Sequence, residues 1–313
     1  MVVGDVLADV LAQLSLPLAE GSDTPARISL GCGGSAANVA AWLAVQGIAT
    51  ALVGAVGDDP LGALQASDLR QRGIRDLLTI IPSHPTGVVV ALVDSEGQRS
   101  MLTSRGAAKS LRPSHLPSTF FQPGRHLHLS GYLLLDAETR EAGLAALALA
   151  RAAGMTVSVD PSSREPLRRA GSRDFRGWTR GADLLFPNLD EGSMLAARDE
   201  PGAVADDLLT DYREVVLSLG AGGALWAHPG GRLHLPAEPG PVVDTTGAGD
   251  AFAAGWLGGW LSGRGGEESL HAALHLGALA VATEGARPAP RLLEHLDAAG
   301  LGASTGASGR ERA

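Results

Sequence analysis

Short apolar runs alternate with longer apolar or amphipathic stretches along most of this chain, and that rhythm limits the fold more than any other feature. Runs at 2–6, 51–56, 126–129, 156–159, 184–186 and 215–218 have strand length. Stretches at 35–46, 60–72, 137–153, 248–261 and 267–284 have helix length. Parallel strands need a crossover, which a helix supplies, so this order predicts a mostly parallel sheet with helices on both faces. Asp59-Pro60 marks one helix start: an N-cap carboxylate, then Pro at the first helical position. The rhythm breaks where runs 86–93 and 99–103 flank Ser95-Glu96-Gly97, as in a hairpin. Segments 75–105 and about 10–31 are therefore expected to form a small β-sheet beside the main one. One α/β domain is expected over 1–299, with 300–313, rich in Gly, Ser and Arg, as a disordered tail.

Charge and residue usage narrow the function. The net charge of −9 argues against a nucleic-acid or anionic-membrane partner, both of which need a positive footprint. A single cysteine, Cys32, excludes an internal disulfide and a multi-cysteine metal site, as suits a reducing cytoplasm. The start lacks a basic n-region, and no apolar run reaches bilayer length, so neither signal peptide nor membrane span is expected. Lys109 is the only lysine, and Ala108 precedes Lys109-Ser110, so no Walker A loop is present. An HRD-type loop and a DFG-type triplet are also missing, which excludes a protein-kinase site.

The sharpest local signal is Val243-Asp244-Thr245-Thr246-Gly247-Ala248-Gly249-Asp250-Ala251-Phe252. A Gly-Ala-Gly turn opens a long apolar helix. Helix starts leave N–H groups unpaired and carry partial positive charge, and glycine lets backbone approach a ligand. Such a turn cradles anions. Asp250, in the first turn, would be repelled by a bound phosphoryl group unless it had a task. Accepting a proton from an attacking hydroxyl is that task.

This string resembles the C-terminal signature of the PfkB, or ribokinase-like, carbohydrate kinases. A second resemblance lies at Gly33-Gly34-Ser35-Ala36-Ala37-Asn38-Val39-Ala40, followed by Gly47 and by Val56-Gly57-Asp58-Asp59. The resemblance extends to about residue 297 and implies a three-layer α/β/α sandwich with a small β-sheet lid. It implies ATP-dependent phosphorylation of a sugar hydroxyl, with Asp250 as base and Gly247, Ala248 and Gly249 as anion hole. Asp9, Gly33, Gly34 and Asn38 would bind the sugar. Asn188 and Glu191, in Pro187-Asn188-Leu189-Asp190-Glu191, would organise Mg2+ and phosphates. Ser218, Gly220 and Gly223 resemble the nucleotide loop, with Thr245 and Arg164 as further ATP contacts; Gly285-Ala286 would close over the nucleotide. Asp244 is the candidate for a monovalent cation, K+ or Na+. A homodimer through the lid and a cytoplasmic location follow from the same resemblance.

Substrate is less constrained. Asp160-Pro161-Ser162-Ser163-Arg164 resembles an Asp-Pro-Asn-x-Arg element of fructokinase-like and 2-keto-3-deoxygluconate kinase-like members, with Ser162 replacing Asn. Arg99 and Arg105 flank the hairpin, and Arg105 there would grip a sugar-acid carboxylate. Leu7 stands where ribokinase proper has a sugar-contacting Asn. A ketose or keto-deoxy sugar acid is therefore favoured over ribose or a nucleoside. Two alternatives stay open at this point. One is a non-catalytic sugar- or nucleotide-binding regulator on the same fold. The other is an NAD(P)-dependent oxidoreductase, suggested by Gly31-x-Gly33-x-x-Ala36 with Asp58 beyond it. His271 and His275 share a helix face but lack further zinc ligands, and His126 and His128 read as structural.

Overall fold

A computed structural model of the chain describes residues 1–94 and 99–289. The turn expected at 95–97 and the tail expected at 300–313 lie outside the described residues. In order, the chain forms β1 (Val2–Val3), β2 (Leu7–Leu14), β3 (Ala26–Gly33), α1 (Ser35–Val45), β4 (Ala51–Gly57), α2 (Pro60–Gln71), β5 (Arg75–Ile81), β6 (Thr86–Val93) and β7 (Arg99–Gly106). It continues with β8 (His126–Ser130), α3 (Tyr132–Leu135), α4 (Arg140–Ala152), β9 (Thr156–Asp160), α5 (Arg164–Ala170), α6 (Ser172–Thr179) and β10 (Leu184–Leu185). Then come α7 (Leu189–Ala196), α8 (Pro201–Leu208), β11 (Glu214–Ser218), β12 (Ala224–His228), β13 (Gly231–Leu235), α9 (Ala248–Leu261) and α10 (Gly266–Val281).

The large sheet has nine strands in the order β13-β12-β11-β10-β9-β8-β1-β4-β5. From β11 to β5 every neighbouring pair is parallel; β12 and β13 close one edge antiparallel. Successive strand residues point to opposite faces, and here both faces are buried. Val2, Leu52, Leu184 and Val216 join a cluster around Trp42 and Trp256. Their neighbours Val3, Val53, Leu185 and Val215 join another around Leu147 and Phe175. That double burial explains the near-continuous apolar runs in the sequence.

The small sheet runs β3-β2-β6-β7. Two expectations need correction. Segment 75–81 belongs to the large sheet, where β5 pairs in parallel with β4 through the α2 crossover. The first strand ends at Val3, not at residue 6. A Cβ on Gly4 would lie 2.7 Å from the side chains of Ala36 and Ser130, so the chain turns through this tight point. It then re-enters at Leu7 as β2 of the small sheet. The Gly31–Gly33 stretch that mimics a dinucleotide fingerprint lies on β3, antiparallel to β2. It is not the turn after a parallel strand that such a fingerprint requires.

Candidate active site

Ligands of open α/β sheets bind beyond the carboxyl ends of the strands. A cavity of about 870 Å3 opens there. Its wall takes Asp5 from the end of β1, Asp160 from β9, Asn188 from the segment after β10 and Ser218 from β11. The small sheet roofs one side with Leu7, Asp9, Val89, Met101, Thr103 and Arg105. The starts of α1 and α9 supply Gly34, Ser35, Asn38, Gly247, Gly249 and Asp250.

Two glycine-led helix starts meet at the centre. Gly34 has φ +94°, and a Cβ there would lie 2.5 Å from the Asp5 carbonyl oxygen. Gly247 has φ +74°, and its Cβ would lie 2.7 Å from Ala286. Both positions need glycine for conformation and for space. The result sets Asp250 against the first turn of α1. Ser35 Oγ donates to Asp250 Oδ1 at 2.9 Å, and Asn38 Nδ2 donates to Oδ2 at 2.8 Å. Burial pushes the Asp250 carboxyl up to about 6, partly opposed by the hydrogen bonds from Asn38 and Ser35. A base with a pKa near the working pH is suited to taking up a hydroxyl proton.

Beside it, Asp9 fills the space that Gly33 leaves free: a Cβ on Gly33 would lie 2.1 Å from Asp9 Oδ2. Burial raises Asp9 to about 6, with Arg287 opposing and Asp244 adding to the rise. Arg105 is held in a fork: Nη2 donates to Asp5 Oδ1 at 2.5 Å and Nη1 to Asp136 Oδ2 at 2.8 Å. Lys109 also lines the cavity and donates to Glu138 Oε1 at 2.6 Å.

At the far end Asn188 and Glu191 form a capping box. Asn188 Oδ1 accepts from the Glu191 N–H at 2.9 Å, and Glu191 Oε2 accepts from the Asn188 N–H at 3.1 Å. Both residues line the cavity as well, so capping and site geometry coincide. Burial lifts Glu191 to about 7 against the Asn188 hydrogen bonds. Burial, then the nearby Glu191 and Asp250 charges, hold Asp160 well above the usual carboxylate range. Two buried carboxylates that form no ion pair among the described residues fit a hard divalent ion such as Mg2+, which takes oxygen ligands and usually keeps several waters.

Other expected residues lie outside this wall. Asp244 is buried and accepts from the N–H groups of Thr246 at 2.7 Å and Gly285 at 3.0 Å, while Thr245 is exposed beside it. Ala248 is the first residue of α9. Gly220 and Gly223 bound a tight turn between β11 and β12. Arg164 is exposed at the start of α5, 3.6 Å from Asp190; Arg169, at its far end, reaches the cavity instead. Sequence reasoning did not single out Asp5, Ser35, Lys109, Asp136 or Arg169. Asp5 carried a usable signal: it follows the first strand directly, where a parallel sheet places its ligands. Of the histidines, His126 bonds Thr156 and Ser158, His128 bonds Ser158, and His275 bonds Glu238. No metal-binding cluster of three such groups occurs among the described residues.

Comparison with known proteins bears on this geometry. Residues 1–292 match the pfkB family carbohydrate kinase family. The chain is 36% identical over 290 residues to the ATP-dependent ribose-1-phosphate kinase of Halopiger xanaduensis, covering 92% of this chain and 93% of that one. It is 31% identical to the 2-dehydro-3-deoxygluconokinase of Bacillus subtilis, covering 82% of each chain. It is 32% identical to a fructokinase of Klebsiella pneumoniae, covering 92% and 94%. Among solved structures, the adenosine kinase of Sinorhizobium meliloti superposes with a TM-score of 0.86 at 26% identity, over 95% of this chain and 98% of that one. The aminoimidazole riboside kinase of Salmonella enterica, complexed with its riboside and an ATP analogue, gives 0.78 at 26% identity, over 94% and 98%. The family match covers nearly the whole described chain and the named relatives are sugar kinases, which displaces both the oxidoreductase and the non-catalytic alternatives. The chain belongs to the pfkB family of carbohydrate kinases, the sugar kinases that use ATP and Mg2+.

Proposed function

We propose that the protein transfers the γ-phosphoryl group of ATP to a hydroxyl of a sugar carrying an anionic group, a keto-deoxy sugar acid or a sugar phosphate. The observation that carries the transfer is the carboxylate of Asp250, lodged at the start of α9 in the same cavity that Asn188 and Glu191 line. The substrate hydroxyl lies against Asp250, which takes its proton. The hydroxyl oxygen forms the new bond to phosphorus as the bridging bond to the β-phosphate breaks, and ADP leaves. First-turn N–H groups at Gly247, Ala248 and Gly249 face the charge that spreads over the phosphoryl oxygens. Asn188, Glu191 and Asp160 would hold Mg2+, which would supply positive charge to offset that of the phosphates. Ser218, Gly220, Gly223, Thr245 and Arg164 flank the nucleotide, Asp244 with the Gly285 backbone is the monovalent-cation site, and the small sheet acts as the lid that excludes water.

Asp9, Gly33, Gly34 and Asn38 bind the sugar. Arg105 and Lys109, the cations of the acceptor end, support the anionic group, as do the names of two relatives, whose substrates are a sugar phosphate and a sugar acid. A second reading, a neutral ketose, is favoured by the fork itself, since Asp5 and Asp136 already flank Arg105. The small sheet turns Ile28, Leu30 and Leu102 outward, which supports pairing of two copies through the lid; sedimentation at micromolar concentration tests it. The substrate test is a coupled ADP-release screen with Mg2+, in K+ and in Na+, against 2-keto-3-deoxygluconate, ribose 1-phosphate, fructose, ribose and nucleosides. Turnover of an anionic sugar, lost in Lys109→Met through KM, is expected. Preference for fructose, unchanged in Lys109→Met, would overturn the anionic reading.

A further inference from the structure

Far from the base in sequence, one buried cation touches the residue that holds it. Arg287 directly follows Gly285-Ala286 and has a side chain only 5% exposed. Its Nη2 donates to the Gly33 carbonyl at 2.8 Å and to Gln65 Oε1 at 3.0 Å, and its Nη1 pairs with Asp68. Its Nε donates to Asn38 Oδ1 at 3.3 Å.

That last contact has a chemical consequence. A guanidinium can only donate, so the Asn38 atom facing it is the carbonyl oxygen. The amide NH2 must then face the other way, toward Asp250 Oδ2, where it donates at 2.8 Å. The Asp250 carboxylate, which accepts, favours the same orientation, and the guanidinium holds it from the side away from the base. A flipped amide would set an acceptor against the carboxylate and turn the base away from its hydroxyl.

The segment that carries Arg287 is fixed independently. The Trp42 Nε1–H donates to the Ala286 carbonyl at 3.0 Å, the Gly285 N–H donates to Asp244 at 3.0 Å, and Ala286 backs Gly247 at the anion-hole turn. Arg287 therefore links the backing of the phosphoryl cradle to the orientation of the base. We propose that Arg287 is a positioning residue for phosphoryl transfer, acting on Asp250 through the Asn38 amide. This rests on Asp250 being the base. The charged groups that face Asp250 are Asp9 from β2, Asp160 from β9 and Arg287 itself, so replacing Arg287 also removes a counter-charge. The test must separate orientation from charge.

Arg287→Lys keeps a cation beside Asp68 but has no planar fork to reach Gly33, Gln65 and Asn38 together. It is compared with Asn38→Ala and the double variant, using the full-length protein, Mg2+-ATP and the best acceptor from the screen. Arg287→Lys is expected to lower kcat about 10- to 100-fold, the size of one hydrogen bond to a charged group, with KM for ATP unchanged. The double variant is expected to match Asn38→Ala, because both remove the same contact to the base. Additive losses, or a loss confined to KM for ATP, would overturn the proposal. If Arg287→Lys does not fold, Asn38→Asp supplies the second arm: a carboxylate cannot donate to Asp250 but still accepts from Arg287, and kcat should fall as far as in Asn38→Ala. Wild-type kcat in Asn38→Asp would overturn the proposal. Activity retained in Asp250→Asn would instead sink the assignment of the base.

Discussion

The two ends of the cavity treat buried carboxylates in opposite ways. At one end Asp250 receives two protein hydrogen bonds, from Ser35 and Asn38. At the other, Glu191 adds to the proton affinity of Asp160, each accepts one backbone N–H, from Asn188 and Ser162 respectively, and neither forms an ion pair among the described residues. Leaving a charge buried without a partner costs several kcal/mol. A protein that keeps such a pair leaves its neutralisation to a ligand. The base end is thus finished by the chain itself, and the far end is finished by what binds there.

Removing the base breaks this comparison most severely. Asp250→Asn keeps the shape but cannot take a proton, and kcat should fall by about 10²- to 10⁴-fold, the usual worth of general-base catalysis. ATP affinity, measured by calorimetry, should stay within a few-fold, because the proposed nucleotide contacts at Asn188, Ser218, Gly220 and Gly223 are left intact. If Asp160→Asn abolished turnover while Asp250→Asn did not, the roles of the two ends would be reversed.

Glu191→Gln sharpens the other half. The amide oxygen can still accept from the Asn188 N–H, so the capping box survives, while a buried charge is lost. The Mg2+ concentration for half-maximal activity should rise about 10-fold, as for partners that support a metal site. The ligand-free protein should melt higher at pH 8 than wild type. A lower melting temperature with unchanged Mg2+ dependence would make Glu191 a helix cap and nothing more.

How far this site could be read beforehand follows from the range of its contacts. The helix from Ala248 was legible because turn, base and apolar run are contiguous. The capping box at Asn188 and Glu191 spans three residues and was equally visible. Gly33–Gly34 and Asn38 were found as a motif, but the bond from Asn38 to Asp250 spans 212 residues and appears only when α1 and α9 pack. Arg287 was invisible for the same reason: its partners Gly33 and Asn38 lie 254 and 249 residues away. The edge strand β5 was misassigned to the small sheet because its composition suits either sheet, and only its pairing with β4 decides between them. Arg164 was singled out on motif position alone; that Arg169, further along α5, lines the cavity depends on how α5 packs and carried no such signal.

The smallest expected effect joins the two ends. Asp9 and Asp250 titrate near 6 and Glu191 near 7 in the folded protein, each raised chiefly by burial. In the unfolded chain such groups titrate near 4. Between those values the folded state binds more protons than the unfolded state, so stability from these groups falls as pH rises from about 4 through about 7. His126, His128 and the N-terminal amine, all held low by burial, work the other way within this range, and Asp59 and Glu200, with lowered values, do so only toward lower pH. Over pH 5.5 to 7.5 the carboxylates therefore contribute a falling slope of a few degrees to the ligand-free melting temperature, and the difference between wild type and Glu191→Gln isolates the share of Glu191. Mg2+ with a non-hydrolysable ATP analogue should flatten the part of that slope that Asp160 and Glu191 contribute, leaving the part from Asp9 and Asp250. Glu191→Gln should flatten it without ligand. A wild-type slope identical to that of Glu191→Gln across this window would mean that the Glu191 carboxylate is already compensated within the chain, and the contrast between the two ends would be lost.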